Sequence, residues 1–398
     1  MSKSYDMEPD VHGRHRRLDD DHELRYGVTA ATFFARAADP VPGAQWTGVV
    51  TRIALAALET KMVDAVVCVQ ASPDDPLSPR PVVARSAADV LAARGVKPVL
   101  SPTLAVLPTL EALAGEGGGV RSVLFIGVGC QVQAVRAVRP YLDLDNLFIL
   151  GTPCADNGTR AGLAAFLAAA SPVPPGDVAH YEFAQDYRVH FVAEGGATVG
   201  RVPYFSLPAN DLTDAIAPSC YSCFDYANGL ADVVVGYMGS PPPPLTRPLD
   251  MRAHFQHVTV RNDAGARLLA AAGDALVTSP ATSWGAALVA PLVRATVDAD
   301  DAAKMGRGPD PAPLRVGTII ASLLSWLGPK GLAFGRYSID YHTLRNYLYV
   351  RRHWRARAAD AHLPAHAREI VRRYDGGGEM SERVGLATPG PPGARVRE

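Results

Sequence analysis

Twice between residues 120 and 170 a β-prone run ends in a loop that carries a cysteine and then opens a helix. Residues 121–126 read as a strand, Cys130 follows in LFIGVGCQVQA, and 131–138 has helical spacing. Residues 147–150 read as the next strand, Cys154 follows in LFILGTPCADNGTR, and 159–169 is the next helix. Upstream, 49–58 is helical, 62–69 is strongly β-prone and 87–93 is helical again. Such alternation specifies an α/β fold with a mostly parallel sheet core, because parallel strands need helical crossovers. Loops beyond the strand C-termini are where these sheets bind ligands. Cys130 and Cys154 are therefore expected on neighbouring loops at one sheet edge.

The remainder adds mixed α+β segments and a helical C-terminal extension. Residues 181–192 and 195–204 alternate like antiparallel strands around a glycine turn at Gly195–Gly196. SPPPPLTRP at 240–248 is a proline-rich break, and helices are expected at 315–327, 341–354 and 365–374. The stretch 316–327 is far shorter than the roughly 20 apolar residues of a membrane span, so a buried helix is expected there. Residues 1–40 are charge-dense and read as a solvated arm; the Gly/Pro-rich tail after Asp375 reads as disordered. A net charge of −1 offers no basic field for nucleic acid or an anionic membrane. Met1 is followed by polar residues with no apolar signal core.

Five cysteines in 398 residues are too few and too scattered for a secreted disulfide framework. Cys220 and Cys223 form PSCYSC, a C-x2-C turn that lets two thiolates grip one metal centre. With Cys130 and Cys154 they supply the four thiolates of one iron–sulfur cluster. A zinc site, a C-x2-C disulfide and plain burial are the competing readings, although zinc sites of this type usually show two such knuckles. Cys68, inside AVVCVQ, reads as core. GAQWTG at 43–48 opens a helix whose N-terminal N–H groups either cradle a cofactor phosphate or form a plain turn. Lys97 and Ser101, in GVKPVLSPT, either meet a phosphate or flavin edge or lie at the surface.

Taken in order, GAQWTGVVTRIALAALETKMVDAVVCVQ, GVKPVLSP, GVGCQVQA, GTPCADNGTR and SCYSCFDYANGLADVVVGYMG resemble the β-subunit family of the coenzyme-F420-reducing hydrogenase and formate dehydrogenase. The resemblance covers roughly residues 10 to 375. VPYFSLPANDLTDAIAPSCYSCFDY, DADDAAKMGRGPDPAPL and GPKGLAFGRYSIDYHTLRNYLYV are similar to its branch of chlorophyll-intermediate reductases. It implies FAD contacts from Gln45, Trp46, Thr47 and Gly48, with Lys97 and Ser101 as additions. It implies [4Fe–4S] ligation by Cys130, Cys154, Cys220 and Cys223. Ferredoxin as electron donor, a tetrapyrrole pigment as substrate and a plastid location follow from the same branch. The reaction expected is reduction of a 7-hydroxymethyl group, with an 8-vinyl group, or a non-catalytic electron-transfer subunit, as the alternatives.

Branch members carry an N-terminal C-x2-C-x2-C segment for a second cluster, whereas here no cysteine precedes Cys68. A truncated chain, lacking that segment and a transit peptide, is the expectation. The domains expected are a polar arm (1–40), an FAD-binding region (41–118), a family domain with the cysteines (119–240), a mixed extension (241–375) and the tail (376–398). Asp225, Tyr226, Tyr341 and His342 are the candidate proton donors, with none singled out. Residues 207–216 and 334–349 are expected to line a pigment cleft. The oligomeric state, a homo-oligomer included, stays open.

Overall fold

A computed structural model describes residues 4–115, 118–236 and 254–385. In chain order its main strands are β1 (Ala31–Ala37), β2 (Ala65–Ser72), β3 (Asp75–Ala84), β4 (Ser122–Gly127), β5 (Asn146–Gly151), β6 (His180–Ala184), β7 (Arg188–Val192), β8 (Thr198–Pro203), β9 (Val233–Gly236), β10 (Gln256–Val260) and β11 (Leu276–Pro280). The two-residue strands β12 (Ser283–Trp284) and β13 (Lys330–Gly331) pair with each other. Eight strands form one sheet, in the order β11-β1-β10-β9-β5-β4-β2-β3. Its core, β2, β4, β5 and β9, is parallel as expected, and the bordering strands are antiparallel. β6, β7 and β8 make a separate antiparallel sheet.

Helices α1 (Ser4–His12) and α2 (Glu23–Tyr26) precede the sheet. Then come α3 (Val49–Glu59), α4 (Ala87–Ala92), α5 (Leu107–Ala114), α6 (Gly129–Val138), α7 (Arg160–Ala170) and α8 (Asp263–Ala272). A C-terminal layer holds α9 (Val289–Lys304), α10 (Leu314–Leu327), α11 (Leu332–His353), α12 (Ala356–His362), α13 (Ala365–Tyr374) and α14 (Glu379–Arg383). β4 and β5 are nearly unbroken apolar runs because both sheet faces are covered. Leu124 and Leu150 pack with Ile53 of α3 and Leu268 of α8 on one face; Val123 and Ile149 pack with Val132 of α6 and Leu110 of α5 on the other. β4 and β5 pair in level register, from Ser122↔Asn146 to Gly127↔Gly151, so they release their cysteine loops side by side.

The N-terminal residues do not form a solvated arm. Glu8 is fully buried and accepts from the Nε of Arg16 at 2.7 Å and from its backbone N–H at 2.8 Å. Arg25 is buried too, and its Nε and Nη2 donate to Asp340 of α11 at 2.7 and 2.9 Å. The hydroxyl of Tyr374 donates to the same carboxylate at 2.8 Å. Charge density signals solvent only when the charges lack partners, and here one partner lies 315 residues away.

The helix expected as buried over 316–327 forms, as α10, but only one face is covered. Gly317, Ala321 and Ser325 are buried, whereas Val316, Ile319, Leu323, Trp326 and Leu327 are exposed. Residues 376–385 include α14. The rest of the tail and the proline-rich break at 240–248 lie outside the described residues.

His12 pins α1 to the sheet. A carbonyl can only accept, so its Nε2–H donates to Gly229 O at 2.9 Å, and its Nδ1 accepts from the Nδ2 of Asn262 at 3.2 Å. Burial pushes His12 down to about 3, and burial does the same to His257 on β10. Both unfolded-state values lie near 6.5. The unfolded chain therefore gains protons that the native state excludes, and stability falls as pH drops from about 6.5 towards 3. Well inside that window the slope approaches about 1.4 kcal/mol per pH unit for each histidine. Urea midpoints measured down this range should fall, and His257→Gln should remove about one proton's worth of slope; an unchanged slope would rule out a buried neutral His257.

Candidate functional site

Three loops meet beyond the C-terminal ends of β4 and β5. Gly129, at the start of α6, has no room for a side chain: a Cβ there would sit 2.7 Å from Asp225 O. That close approach presses the Cys130 turn onto the loop that follows Cys223. Asn228, buried at a φ of 54°, donates through Nδ2 to Gly127 O at 2.9 Å and Thr152 O at 3.3 Å, tying the two strand ends together. The N–H of Cys154 donates to Tyr226 O at 3.1 Å. Cys220 to Ser222 form one 3-10 turn, from which Cys223 leaves extended.

All four cysteines are free thiols, Cys130 exposed and the other three half-buried. Burial raises Cys154 well above the usual thiol value, and Cys220, Cys223 and Cys130 each raise it further by their own charge. The loops that carry the four cysteines thus meet at Cys154. Cys68 is apart from them, buried in the core and raised by burial to about 12. Among the described residues no group of three or more His, Cys, Asp or Glu stands close enough to hold a single metal ion. A lone zinc draws its sulfurs to about 2.3 Å of one point.

The C-terminal helices hold the C-x2-C loop by its carbonyls. Nδ2 of Asn346, on α11, donates to Cys220 O at 3.0 Å and to Cys223 O at 2.6 Å. Nε2 of His362 donates to Ser222 O at 2.6 Å, and Nε2 of His366 donates to Phe224 O at 2.9 Å. Burial holds His366 well below its usual value, in the neutral form with one N–H to give. No motif announces these three residues; their partners are backbone atoms more than 120 positions away.

A cavity of about 630 Å³ opens next to this loop cluster. Its wall includes Gln45, Gly48, Lys97 and Ser101 as well as Cys154, Asp156 and Tyr226. Trp46 and Thr47 face elsewhere. Thr47 is buried and its Oγ1 accepts from the N–H of Ala37 at 2.9 Å; Trp46, at a φ of 55°, lies edge-on to His254. They shape the loop that presents Gln45 and Gly48. α3 begins at Gly48 with no side-chain cap, so its first N–H groups are open where Gly48, Val50 and Thr51 line the cavity. Lys97 donates to Ala93 O and Arg94 O, both at 2.7 Å, closing the end of α4, and burial lowers it to about 8. Ser101 O accepts from Gln131 at 3.1 Å, which ties this segment to the Cys130 turn.

Further wall comes from α11. Phe334, Tyr337, Tyr341, His342 and Arg345 line it, and so do Leu212, Ala215 and Ile216, so residues of both segments, 207–216 and 334–349, contribute. Arg345 donates to both oxygens of Asp156 at 2.7 Å. Burial works against the Asp156 charge, but Arg345 and His342 outweigh it and hold the carboxyl well below its usual range. Arg345 also borders a second cavity of about 600 Å³ beside Tyr221. Among the candidate proton donors, Asp225 is engaged by Gly229 N–H at 2.6 Å and Gln133 at 2.9 Å and does not line the large cavity. Tyr226, Tyr341 and His342 do. The Nδ1–H of His342 donates to Ser338 O at 2.6 Å, leaving Nε2 3.6 Å from Asp156.

Residues 32–108 match the N-terminal domain of the coenzyme F420 hydrogenase/dehydrogenase β-subunit family, and residues 120–283 match the C-terminal domain of the same family. The chloroplastic 7-hydroxymethyl chlorophyll a reductase of Oryza sativa is 54% identical over 385 residues, 96% of this chain and 79% of its own. An uncharacterized Nostoc protein is 44% identical over 92% of this chain and 86% of its own. A chain of the F420-reducing [NiFe] hydrogenase complex from Methanosarcina barkeri superposes with a TM-score of 0.53 at 27% identity, covering 64% of this chain and 82% of that one.

Asn346→Leu should orphan two carbonyls at a cost of about 1–3 kcal/mol each. A lowered urea midpoint is expected; an unchanged one would remove the carbonyl clamp from the account.

Proposed function

This chain belongs to the coenzyme F420 hydrogenase/dehydrogenase β-subunit family, and on that premise we propose that it reduces 7-hydroxymethyl chlorophyll a to chlorophyll a with electrons from reduced ferredoxin. The observation that carries this reading is the continuous cavity whose wall runs from Gln45 and Gly48 to Cys154. Its volume lies within the range of small-molecule sites. The reaction breaks the C–O bond of the hydroxymethyl group and forms a C–H bond. It consumes two electrons and two protons, and the oxygen leaves as water. Ferredoxin supplies electrons singly. A flavin beside a cluster, when bound, collects two of them and delivers a hydride equivalent.

In this reading Gln45, Gly48 and the first N–H groups of α3 receive the phosphates of FAD. Trp46 and Thr47 fix the loop, and Lys97 and Ser101 border the cofactor. Cys130, Cys154, Cys220 and Cys223 hold one [4Fe–4S] cluster. Phe334, Tyr337 and Tyr341 offer ring faces to a flat macrocycle. His342 holds the proton for the departing hydroxyl at Nε2, oriented by Ser338 O and steadied by Asp156. The name of the rice relative supports a chloroplast location.

Anaerobic purification with iron, sulfide and flavin counts tests the cofactors; protein without flavin or without iron would overturn them. Cys220→Ser with Cys223→Ser should abolish iron binding. Turnover of 7-hydroxymethyl chlorophyll a with reduced ferredoxin tests the substrate. Reduction of an 8-vinyl chlorophyllide alone would reassign it, and turnover only inside a larger complex would make the chain an electron-transfer subunit. His342→Gln should lower kcat about 10²-fold or more with KM little changed; an unchanged kcat would remove His342 as the donor.

A further inference from the structure

α10 has two faces of opposite use. Its inner face places Ala321 and Leu324 against Phe334, Tyr204 and Tyr337, which are walls of the large cavity. Its outer face exposes Val316, Ile319, Leu323 and Trp326, the last at 71% of its surface. The helix is firmly seated. The Ser325 hydroxyl donates to Asp186 O at 2.8 Å, and Arg188 donates to the Ser322 hydroxyl at 2.9 Å. Beyond its C-terminal end, Trp284 pairs with Lys330 across β12 and β13 and continues the exposed apolar surface with Leu288.

Charge selects the occupant of this surface. The chain contains 40 acidic residues, yet none falls in 275–297 or in 311–339, the two segments that build the patch. Of the cations in those segments, Arg315 is exposed at the start of α10, Arg294 and Arg336 are paired with Glu379 and Asp21, and Lys330 is buried with its Nζ on Trp326 O and Gly328 O. An apolar face built from segments without acidic residues, with an exposed arginine at its start and a tryptophan at each of its two parts, has the composition of a surface that lies in a lipid interface. At about 1.5 Å per residue, its 14 residues reach about 21 Å, less than the roughly 30 Å hydrocarbon core. No helix among the described residues is long and apolar enough to cross a membrane. The mode is therefore adsorption.

We propose that the outer face of α10, with Trp284 and Leu288, is a docking surface for an anionic lipid bilayer, setting the cavity wall against the membrane so that a lipid-dissolved pigment reaches the cavity without crossing water. The route for the pigment rests on the function proposed above; the lipid contact does not.

Flotation of the purified holoprotein with vesicles of phosphatidylcholine, alone or mixed with phosphatidylglycerol, tests the contact. Cofloating protein is expected, more with phosphatidylglycerol, and the triple variant Ile319→Ser, Leu323→Ser, Trp326→Ser should lose at least 10-fold of it. The variant should reduce detergent-dispersed pigment as the wild type does and lose turnover only of vesicle-embedded pigment. Failure of both proteins on every pigment, with flotation intact, would overturn the function and leave the docking surface standing. Wild-type protein that ignores both vesicles would overturn the proposal. So would an oligomer in solution that the triple variant splits into monomers, because the face would then belong to a second copy of the chain.

Discussion

Everything at the centre of this protein hangs from the backbone carbonyls between Cys220 and Phe224. A loop that turns its carbonyls inward leaves acceptors that water cannot reach, and each must find a donor or cost stability. Asn346, His362 and His366 provide those donors from three helices of the C-terminal layer. α11 is itself anchored by Asp340, which is gripped by Arg25 from the far end of the chain. The order of dependence runs from N-terminus to C-terminal helix to cysteine loop. Neither family region is complete without the residues outside it.

A second constraint is electrostatic. Asp156 and Arg345 form a bidentate pair between two cavities and beside the thiols. Burying such a pair recovers its desolvation cost only when the geometry is good, and its usual return is a fixed arrangement more than added stability. Here the arrangement orients His342 and packs the guanidinium 4.9 Å from the ring centre of Tyr221.

The parallel strands and the cysteine loops behind them were legible in the sequence because period and turn signals are local, and β4 and β5 carry both within a few residues. The helix-opening motif located a loop that borders the cavity but not the direction of its side chains. Gln45 and Gly48 meet the cavity while Trp46 and Thr47 are buried away from it, in a turn with positive φ at both Trp46 and Gly48. Glu8 and Arg25 misled because charge suggests water, and only a folded chain reveals the partner. The apolar run of α10 misled in the opposite sense, since nothing in its period says whether both faces are covered. Asn346, His362 and His366 left no trace, because a side chain that binds a backbone carbonyl needs no matching residue type.

α11 carries two duties within five residues. His342 and Arg345 face the large cavity, while Asn346, the next position, sets the shape of the cysteine loop. The helix is one rigid rail of 22 residues, so the two sites share a single coordinate frame. A shift of the helix that re-contours that wall also moves the clamp on the cysteine loop, and a shift at the loop reshapes the wall. Cavity shape and cysteine-loop geometry are thus inherited together, as one trait.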